Sequence, residues 1–263
     1  MMMHNRIVTR DEWLAARKAH LAKEKELTHL RDQLSAERRE LPWVRIEKNY
    51  VFAGPNGKET LAQLFAGRSQ LIVQHFMFGP GWKEGCVGCS FSVDHVEGAL
   101  VHLEHHDVSY VAVSRAPLPE IEVFRKRMGW RLKWVSSYDS DFNYDFHVSF
   151  KPEEIEKGEV YYNYEMRKIG IEELSGRSVF YKGENGDIFH TYSSYARGGD
   201  LMLGTYNILD LMPKGRNETG PNHNLTDWVR HHDRYDSGGR VAATGRAIQT
   251  SPSPSVYGER GSG

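Results

Sequence analysis

The feature that most constrains this sequence is an apolar run followed by a glycine-rich loop and a pair of cysteines. The run covers residues 71–78 and the loop residues 79–85. Cys86 and Cys89 are the only cysteines in the 263 residues. The run is apolar on both faces over most of its length, as is typical of a central strand in a covered sheet. The cysteine spacing predicts one thiol on the first turn of a helix and the other one turn further along.

The segments after the cysteines alternate between helical and extended patterns. We predict a helix over residues 86–106, a strand over 108–113, a helix after Pro117 and a strand over 132–135. This alternation indicates a parallel sheet with right-handed crossover connections.

A hairpin is predicted near the C-terminal end of the sheet. Residues 178–182 and 188–192 alternate as strands do, and Asn185-Gly186 lies between them. Asn-Gly is typical of a tight turn in which both central residues have positive φ. Because a hairpin adds antiparallel strands to the parallel ones, the sequence predicts an α/β fold with a central mixed sheet flanked by helices.

The two ends of the chain have different compositions from the middle. Residues 1–41 predict an N-terminal helical arm, which begins at a capping box formed by Thr9 and Glu12 and carries leucines at heptad spacing. This arm could pack on its own domain or form a homodimer contact. Residues 42–236 predict the main domain, with an insertion near 151–174, and residues 237–263 predict a disordered tail.

Net charge and hydropathy argue against nucleic acid and membranes as partners of this protein. The formal net charge is −1, which gives no overall field for nucleic acid or an anionic membrane. The sequence has no apolar run of the length needed to span a membrane and no signal-peptide pattern. Two cysteines in one C-x-x-C without a signal suit a reducing compartment. We therefore expect a cytoplasmic protein with neither nucleic acid nor membrane as partner.

The cysteine pair suggests redox chemistry. A thiol at a helix N-terminus has a lowered pKa because the helix dipole and free N–H groups stabilise the thiolate. Cys86 is the predicted nucleophile, and Cys89 is positioned to resolve a mixed disulfide. Two alternatives remain: the thiols are inert and buried, or they bind a metal together with some of the 13 histidines.

Three stretches resemble a known family. They are residues 76–94 around the two cysteines, residues 142–146, and the late pattern of Trp228, His232, Asp233 and Tyr235. They resemble the thioredoxin-like family catalogued as domain of unknown function 899, and the resemblance covers roughly residues 9–236. It implies a thioredoxin-like fold and the activity predicted for that family, dithiol–disulfide oxidoreduction.

The sequence departs from ordinary thioredoxins at two positions. Trp82 lies four residues upstream of Cys86, and no proline occupies residues 176–178, where thioredoxins carry a cis-proline facing the dithiol. The arginine there, Arg177, resembles the arginine that faces the reactive thiolate in peroxiredoxins. That resemblance implies that Arg177 lowers the pKa of Cys86 or holds an anionic oxygen species. The alternative is a surface arginine at the start of a strand.

Several histidines are candidates for a place in or near the predicted site. His75 is either a satisfied buried histidine or a proton acceptor for Cys86. His231, His232 and Asp233 could pack with aromatic neighbours over the mouth of the site, take part in it, or share a cation. His102 and His106 have metal-chelating spacing, but a solvated helix face is the better interpretation.

The sequence therefore predicts a thiol–disulfide oxidoreductase that reduces a disulfide or a peroxide. Its predicted catalytic residues are Cys86, Cys89 and Arg177, and its predicted site-lining residues are His75, Trp82, His231, His232 and Asp233. We expect no organic cofactor, no metal, and a cellular thiol reductant as partner. The alternatives are a metal-binding module and a non-catalytic thioredoxin-like adaptor.

Overall fold

The computed structural model describes residues 5–235. Contacts between Cα atoms divide the chain into two compact units, Met1–Pro42 and Trp43–Gly263. The predicted disordered tail, residues 237–263, lies outside the described residues.

The first unit contains one long helix, α1, Arg10–Arg39. Its N-terminus is the predicted capping box: the Glu12 N–H donates to Thr9 Oγ1, and the Glu12 carboxylate accepts from the Thr9 N–H at 2.9 Å. At 1.5 Å per residue, 30 residues extend roughly 45 Å. No residue of α1 is buried, and its leucines are between 39% and 57% exposed.

The second unit is built on strands that fall into two sheets. In chain order they are β1 Val44–Arg45, β2 Val51–Gly54, β3 Gly57–Thr60, β4 Gln70–His75, β5 Val108–Ser114, β6 Lys133–Ser136, β7 Val160–Tyr162, β8 Glu165–Arg167, β9 Gly176–Lys182 and β10 Ile188–Tyr195. Eight of them form one sheet in the order β1-β10-β9-β4-β5-β6-β2-β3, and β7 and β8 pair separately. β4, β5 and β6 are mutually parallel, and β9 is antiparallel to β4.

The helices of this unit are mostly short. They are α2 Leu61–Leu64, α3 Val87–Val96, α4 Leu100–His105, α5 Leu118–Arg127, α6 Phe142–Asp145, α7 Pro152–Glu156 and α8 Gly204–Leu209. Three 3-10 segments follow the hairpin: Ala196–Met202, Leu225–Asp227 and His232–Arg234. The predicted insertion, residues 151–174, contains α7 and the β7–β8 hairpin.

Two apolar clusters cover the two faces of the sheet. One includes Val73 of β4 and residues of α2 and α6, and the other includes Cys89 of α3 and residues of α5. β4 lies in the middle of the sheet and leads into α3, which crosses to the parallel neighbour β5. This mixed sheet, with helices on both faces and a β9–β10 hairpin beside β4, is a thioredoxin-like fold, as the sequence predicts.

Two local predictions are wrong. The helix predicted over residues 86–106 is divided into α3 and α4, and Gly98 lies in the break, where the Ala99 N–H donates to the Val96 carbonyl at 2.8 Å. Glycine disfavours a helix interior because fixing its backbone costs more entropy than fixing that of other residues. The hairpin turn spans five residues, so only Gly186 needs a positive φ, which is 86°.

Candidate dithiol site

Cys86 lies where the loop after β4 returns to start α3. Its N–H donates to the Met77 carbonyl at 3.0 Å, which fixes the start of the helix against the end of the central strand. Cys86 is the N-cap residue of α3, with extended backbone at φ −56° and ψ 133°, and its side chain is half-buried. The nucleophile predicted from sequence therefore lies at a helix N-terminus with access to solvent.

Cys89 is one helical turn further along and faces inward. Its side chain is buried in the apolar cluster between the sheet and α3, and the Met77 N–H points to its sulfur at 3.5 Å. Both cysteines are free thiols. The pair thus consists of one half-buried and one fully buried cysteine, as a nucleophile and a resolving thiol require.

The two thiols have shifted pKa values in opposite directions. The Cys89 thiol donates a hydrogen bond to the Cys86 sulfur, and the N–H groups of Cys89 and Gly88 also favour its thiolate. Although burial opposes them, these donors lower the pKa of Cys86 to about 7. The pKa of Cys89 is raised well above its ordinary value by that same bond to Cys86 and by burial. Near neutral pH, Cys86 is therefore partly thiolate while Cys89 keeps its proton.

A cleft opens in front of the dithiol. One wall is the start of β9, with Arg177, and another is the 3-10 segment Ala196–Met202. The third wall comes from Asn224 and Leu225, near the end of the described chain. No sequence pattern predicts this third wall, because more than 130 residues separate it from the cysteines and it has no regular periodicity.

Arg177 lies in the cleft wall but is only 9% exposed. Its Nη2 donates to Ser92 Oγ at 2.6 Å, and Ser92 is one turn beyond Cys89 on α3. The Arg177 charge lowers the pKa of Cys89, opposing the effect of burial, whereas the groups that lower the pKa of Cys86 are Cys89 and two backbone N–H groups. Arg177 is thus not among the groups that lower the pKa of Cys86, and its burial makes the surface-arginine alternative wrong. That Arg177 holds an anionic oxygen species stays a prediction.

Gln74 and Tyr110 form a buried pair behind Cys89. The Tyr110 hydroxyl donates to Gln74 Oε1 at 2.5 Å, and Gln74 Nε2 donates to the Cys89 carbonyl at 3.1 Å. Burial raises the pKa of Tyr110 to about 12, so its hydroxyl keeps the proton that it donates. Sequence reasoning missed this pair, although a glutamine in an otherwise apolar strand was a usable signal.

His75 lies on the opposite face of β4 from Gln74, because successive strand residues alternate. Its Nε2 shares a 2.8 Å hydrogen bond with Ser178 Oγ, and its ring stacks on Phe142 and Phe146 with centroids 5.5 Å away in each case. Burial lowers the pKa of His75 to about 3, so the ring is neutral. His75 does not line the cleft in front of the dithiol, so the prediction that it lines the site is wrong, and so is the alternative of a proton acceptor for Cys86. It is a buried histidine, which is the role the sequence favours.

The late histidine cluster lies beside the site rather than in the cleft. His231 is buried, and its Nε2 donates to the Gly85 carbonyl at 2.9 Å, next to Cys86. His232 shares a 2.7 Å hydrogen bond with Asp94, and Asp233 accepts two bonds from Arg127 at 2.8 and 2.9 Å. These residues therefore hold the end of the described chain against the start of α3.

Trp82 is also absent from the cleft lining. It packs against the apolar cluster that contains Cys89, and its indole lies over Gly79, where a Cβ would be 3.0 Å from Trp82 Nε1. Trp82 supports the loop before Cys86 without facing the dithiol. His102 and His106 are exposed on α4 and after it, as the sequence analysis favoured.

The family profile described as "Bacterial protein of unknown function (DUF899)" matches residues 2–235. The chain belongs to this family. No curated protein matches this DUF899 protein.

Solved structures with a similar arrangement include peroxiredoxin Q from Xanthomonas campestris, at 14% identity and a TM-score of 0.40, covering 64% of this chain and 96% of that one. Peroxidoxin BcpB from Mycobacterium tuberculosis has 12% identity and a TM-score of 0.42, with coverages of 64% and 97%. A putative thiol:disulfide interchange protein DsbE from Chlorobium tepidum has 10% identity and a TM-score of 0.37, with coverages of 64% and 97%. These values are too low to assign an activity to the DUF899 protein.

The described part of the DUF899 protein was compared with what a metal site and a membrane span require. Within residues 5–235, no three side chains of His, Cys, Asp or Glu are grouped as a metal ion would need. In the same part of the chain, none of the helices combines the length and the apolar character needed to cross a membrane. What the described site offers is a polarised dithiol, a buried cation and an open cleft.

Proposed function

We propose that this protein is a dithiol–disulfide oxidoreductase that reduces a disulfide or a peroxide. The observation that carries the proposal is the asymmetry of the two thiols. Cys86 is half-buried at the N-terminus of α3 with its pKa lowered to about 7, and Cys89 is buried beside it with a raised pKa. An inert structural pair has no need of this polarisation.

In the disulfide reaction, the Cys86 thiolate attacks one sulfur of the substrate. The substrate S–S bond breaks, one half leaves as a thiolate and takes up a proton, and the other half forms a mixed disulfide with Cys86. Cys89 then attacks the Cys86 sulfur, releases the second half as a thiol and closes the Cys86–Cys89 disulfide. The protein loses two electrons and the substrate gains them.

In the peroxide reaction, the Cys86 thiolate attacks one peroxide oxygen. The O–O bond breaks, the alcohol or water leaves, and Cys86 becomes a sulfenic acid. Cys89 condenses with it, and water is released as the disulfide forms. In both cases a cellular thiol reductant restores the dithiol by two exchange steps in the reverse direction.

Substitution of each cysteine by serine tests the proposal. Cys86→Ser should abolish turnover of both disulfide and peroxide substrates, because the remaining thiol, Cys89, is buried and keeps its proton. Cys89→Ser should still attack a disulfide once and then stop, leaving a mixed disulfide on Cys86 that intact-mass spectrometry detects. Circular dichroism checks that both variants are folded. Turnover by Cys86→Ser at the wild-type rate would disprove the assignment.

A further inference from the structure

We infer that Arg177 assists the resolving step, in which its charge activates Cys89 rather than the nucleophile Cys86. The inference rests on the proposed function and assigns one residue to its second half-reaction. Three observations support it: the burial of the guanidinium, its attachment to the helix turn that follows Cys89, and the difference between the charges around the two sulfurs.

Arg177 is a buried cation with no ion-pair partner among residues 5–235, and Asp200, which also lines the cleft, pairs with Arg197 and Arg216 instead. It is 9% exposed, its Nε is buried with no hydrogen-bond partner, and none of the ion pairs within residues 5–235 includes it. A buried charge without a carboxylate costs free energy and is retained mainly where an anion forms. The cleft therefore contains a cation ready for a transient negative charge.

The surrounding chain fixes the guanidinium beside Cys89. Arg177 pairs with Gln74 across β9 and β4, and the Gln74 side chain holds the Cys89 carbonyl. On the other side, Ser92 accepts a hydrogen bond from Arg177 Nη2. Gly199 leaves the room that the guanidinium needs, because a Cβ there would lie 1.9 Å from Arg177 Nη1.

The charges facing Cys89 change during the reaction. In the dithiol, Cys86 raises the pKa of Cys89 through a hydrogen bond and its charge, and burial acts in the same direction. The Met77 N–H lowers that pKa through a neutral hydrogen bond, and Arg177 lowers it through its charge. Tyr110 and Tyr162 also face Cys89 but stay protonated, since burial raises the pKa of both. Once Cys86 is in a mixed disulfide, its negative charge is gone, whereas the positive charge of Arg177 remains. The Cys89 thiol can therefore ionise more easily at that stage than in the dithiol.

The step that Arg177 assists is the attack on the mixed disulfide. The proton leaves Cys89 while its sulfur forms a bond to the Cys86 sulfur. The bond between Cys86 and the substrate sulfur breaks, and the departing thiolate takes up a proton. The cation stabilises the negative charge on Cys89 before the new S–S bond forms.

Stopped-flow reduction of dipyridyl disulfide separates the two half-reactions. This disulfide is neutral, so a change of charge at Arg177 does not alter its electrostatic attraction to the cleft. The first thione release, by Cys86, depends on disulfide concentration, and the second, by Cys89, does not. Arg177→Met should slow the concentration-independent phase at least about tenfold, corresponding to 1.4 kcal/mol, and change the first phase less than about twofold.

Two further variants separate charge from folding. Arg177→Lys should recover part of the second rate because it restores a cation, and Ser92→Ala should slow that phase less than Arg177→Met does. The pH midpoint of the second phase should rise in Arg177→Met, a shift that purely structural damage does not produce. Circular dichroism reports folding, and if Arg177→Met does not fold, Arg177→Lys and Ser92→Ala decide the question.

Three outcomes are distinguishable. An unchanged second phase in Arg177→Met would overturn the inference, and so would slowing of the first phase alone, which would assign Arg177 to Cys86. If wild-type protein releases only one thione, the dithiol does not resolve and the proposed function itself fails.

Discussion

The dithiol depends on Gly85, a position at which the surrounding rings leave no room for a side chain. Gly85 precedes Cys86, and its carbonyl accepts the His231 hydrogen bond. A Cβ on Gly85 would lie 2.5 Å from Phe76 Cε1 and 2.9 Å from Phe124 Cε1, closer than carbon atoms can approach. The position of the Cys86 backbone is thus set by aromatic packing beneath the loop.

We therefore expect Gly85→Ala to lower the free energy of unfolding by about 1–3 kcal/mol, as overpacking of a core does. It should also slow alkylation of Cys86, because the ring clash displaces the start of α3. Gly98→Ala is the matched control: a Cβ there meets no heavy atom within 4 Å, so we expect a change within about 0.5 kcal/mol. Urea unfolding measures both, and equal effects of the two substitutions would contradict the account.

Some residue positions in the site could be predicted from the sequence and others could not. The spacing of Cys86 and Cys89 predicted their geometry because both lie within one helical turn. The sequence could not decide whether Gln74 or His75 faces the dithiol, since β4 is covered on both faces and alternation gives no direction. For Arg177, the resemblance to peroxiredoxins predicted a place in the site. Which of the two cysteines it acts on depends on how α3 is rotated against β9, and the sequence does not contain that information.

At the scale of elements, the end of the described chain is held against the start of α3 by a group of charges. Arg127 of α5 donates to Asp233 and, at 2.7 Å, to Glu84 in the loop before Cys86. Arg234 also donates to Glu84, at 2.9 Å. Because Asn224 and Leu225 form a wall of the cleft, these charges help to shape the site without lining it.

Arg127→Ala should therefore lower the free energy of unfolding by about 1–2 kcal/mol, because Asp233 loses its arginine partner and Glu84 loses one of its two. Added salt should reduce the difference from wild type. Arg131→Ala is the control, since that side chain is 80% exposed and its nearest carboxylate oxygen, on Glu97, is 3.5 Å away. Limited proteolysis should cleave near residues 221–235 faster in Arg127→Ala only. Equal protection in the two variants would contradict the role given to this group.

The existence of the strands and helices was predicted better than the residues at which they begin and end. The sequence predicted β4, β5, β6 and the β9–β10 hairpin because apolar runs and turn residues mark them locally. It missed the break between α3 and α4, although Gly98 lies inside the helix predicted over residues 86–106. The wall made by Asn224 and Leu225 could not be predicted, because only tertiary contacts define it.

At the scale of the whole molecule, the leucine stripe of α1 remains to be explained. Leu27 and Leu34 are 57% and 47% exposed and lie at heptad spacing, as in a coiled-coil seam. We expect a homodimer of twice the 30.2 kDa chain mass through this helix. The prediction concerns α1 alone and is independent of the chemistry at Cys86.

Light scattering after size-exclusion chromatography measures the assembly. The double variant Leu27→Glu with Leu34→Glu should be a monomer, because charges in the seam lose hydration without partners. Thr28→Glu with Ser35→Glu adds the same two charges one position further around the helix and should leave the dimer intact. A monomeric wild-type protein, or dissociation by both double variants, would refute this seam.

The central claim is that the fold polarises the dithiol, and alkylation of the reduced protein as a function of pH tests it most directly. Since the pKa of Cys86 is lowered to about 7, its thiolate forms as pH rises through that value and is lost below it. Peptide mapping after iodoacetamide treatment should show Cys86 modified with a midpoint near pH 7. Cys89 should stay unmodified until well above pH 9, because its pKa is raised. Modification of both cysteines with a common midpoint near pH 9, or of Cys89 first, would contradict the account.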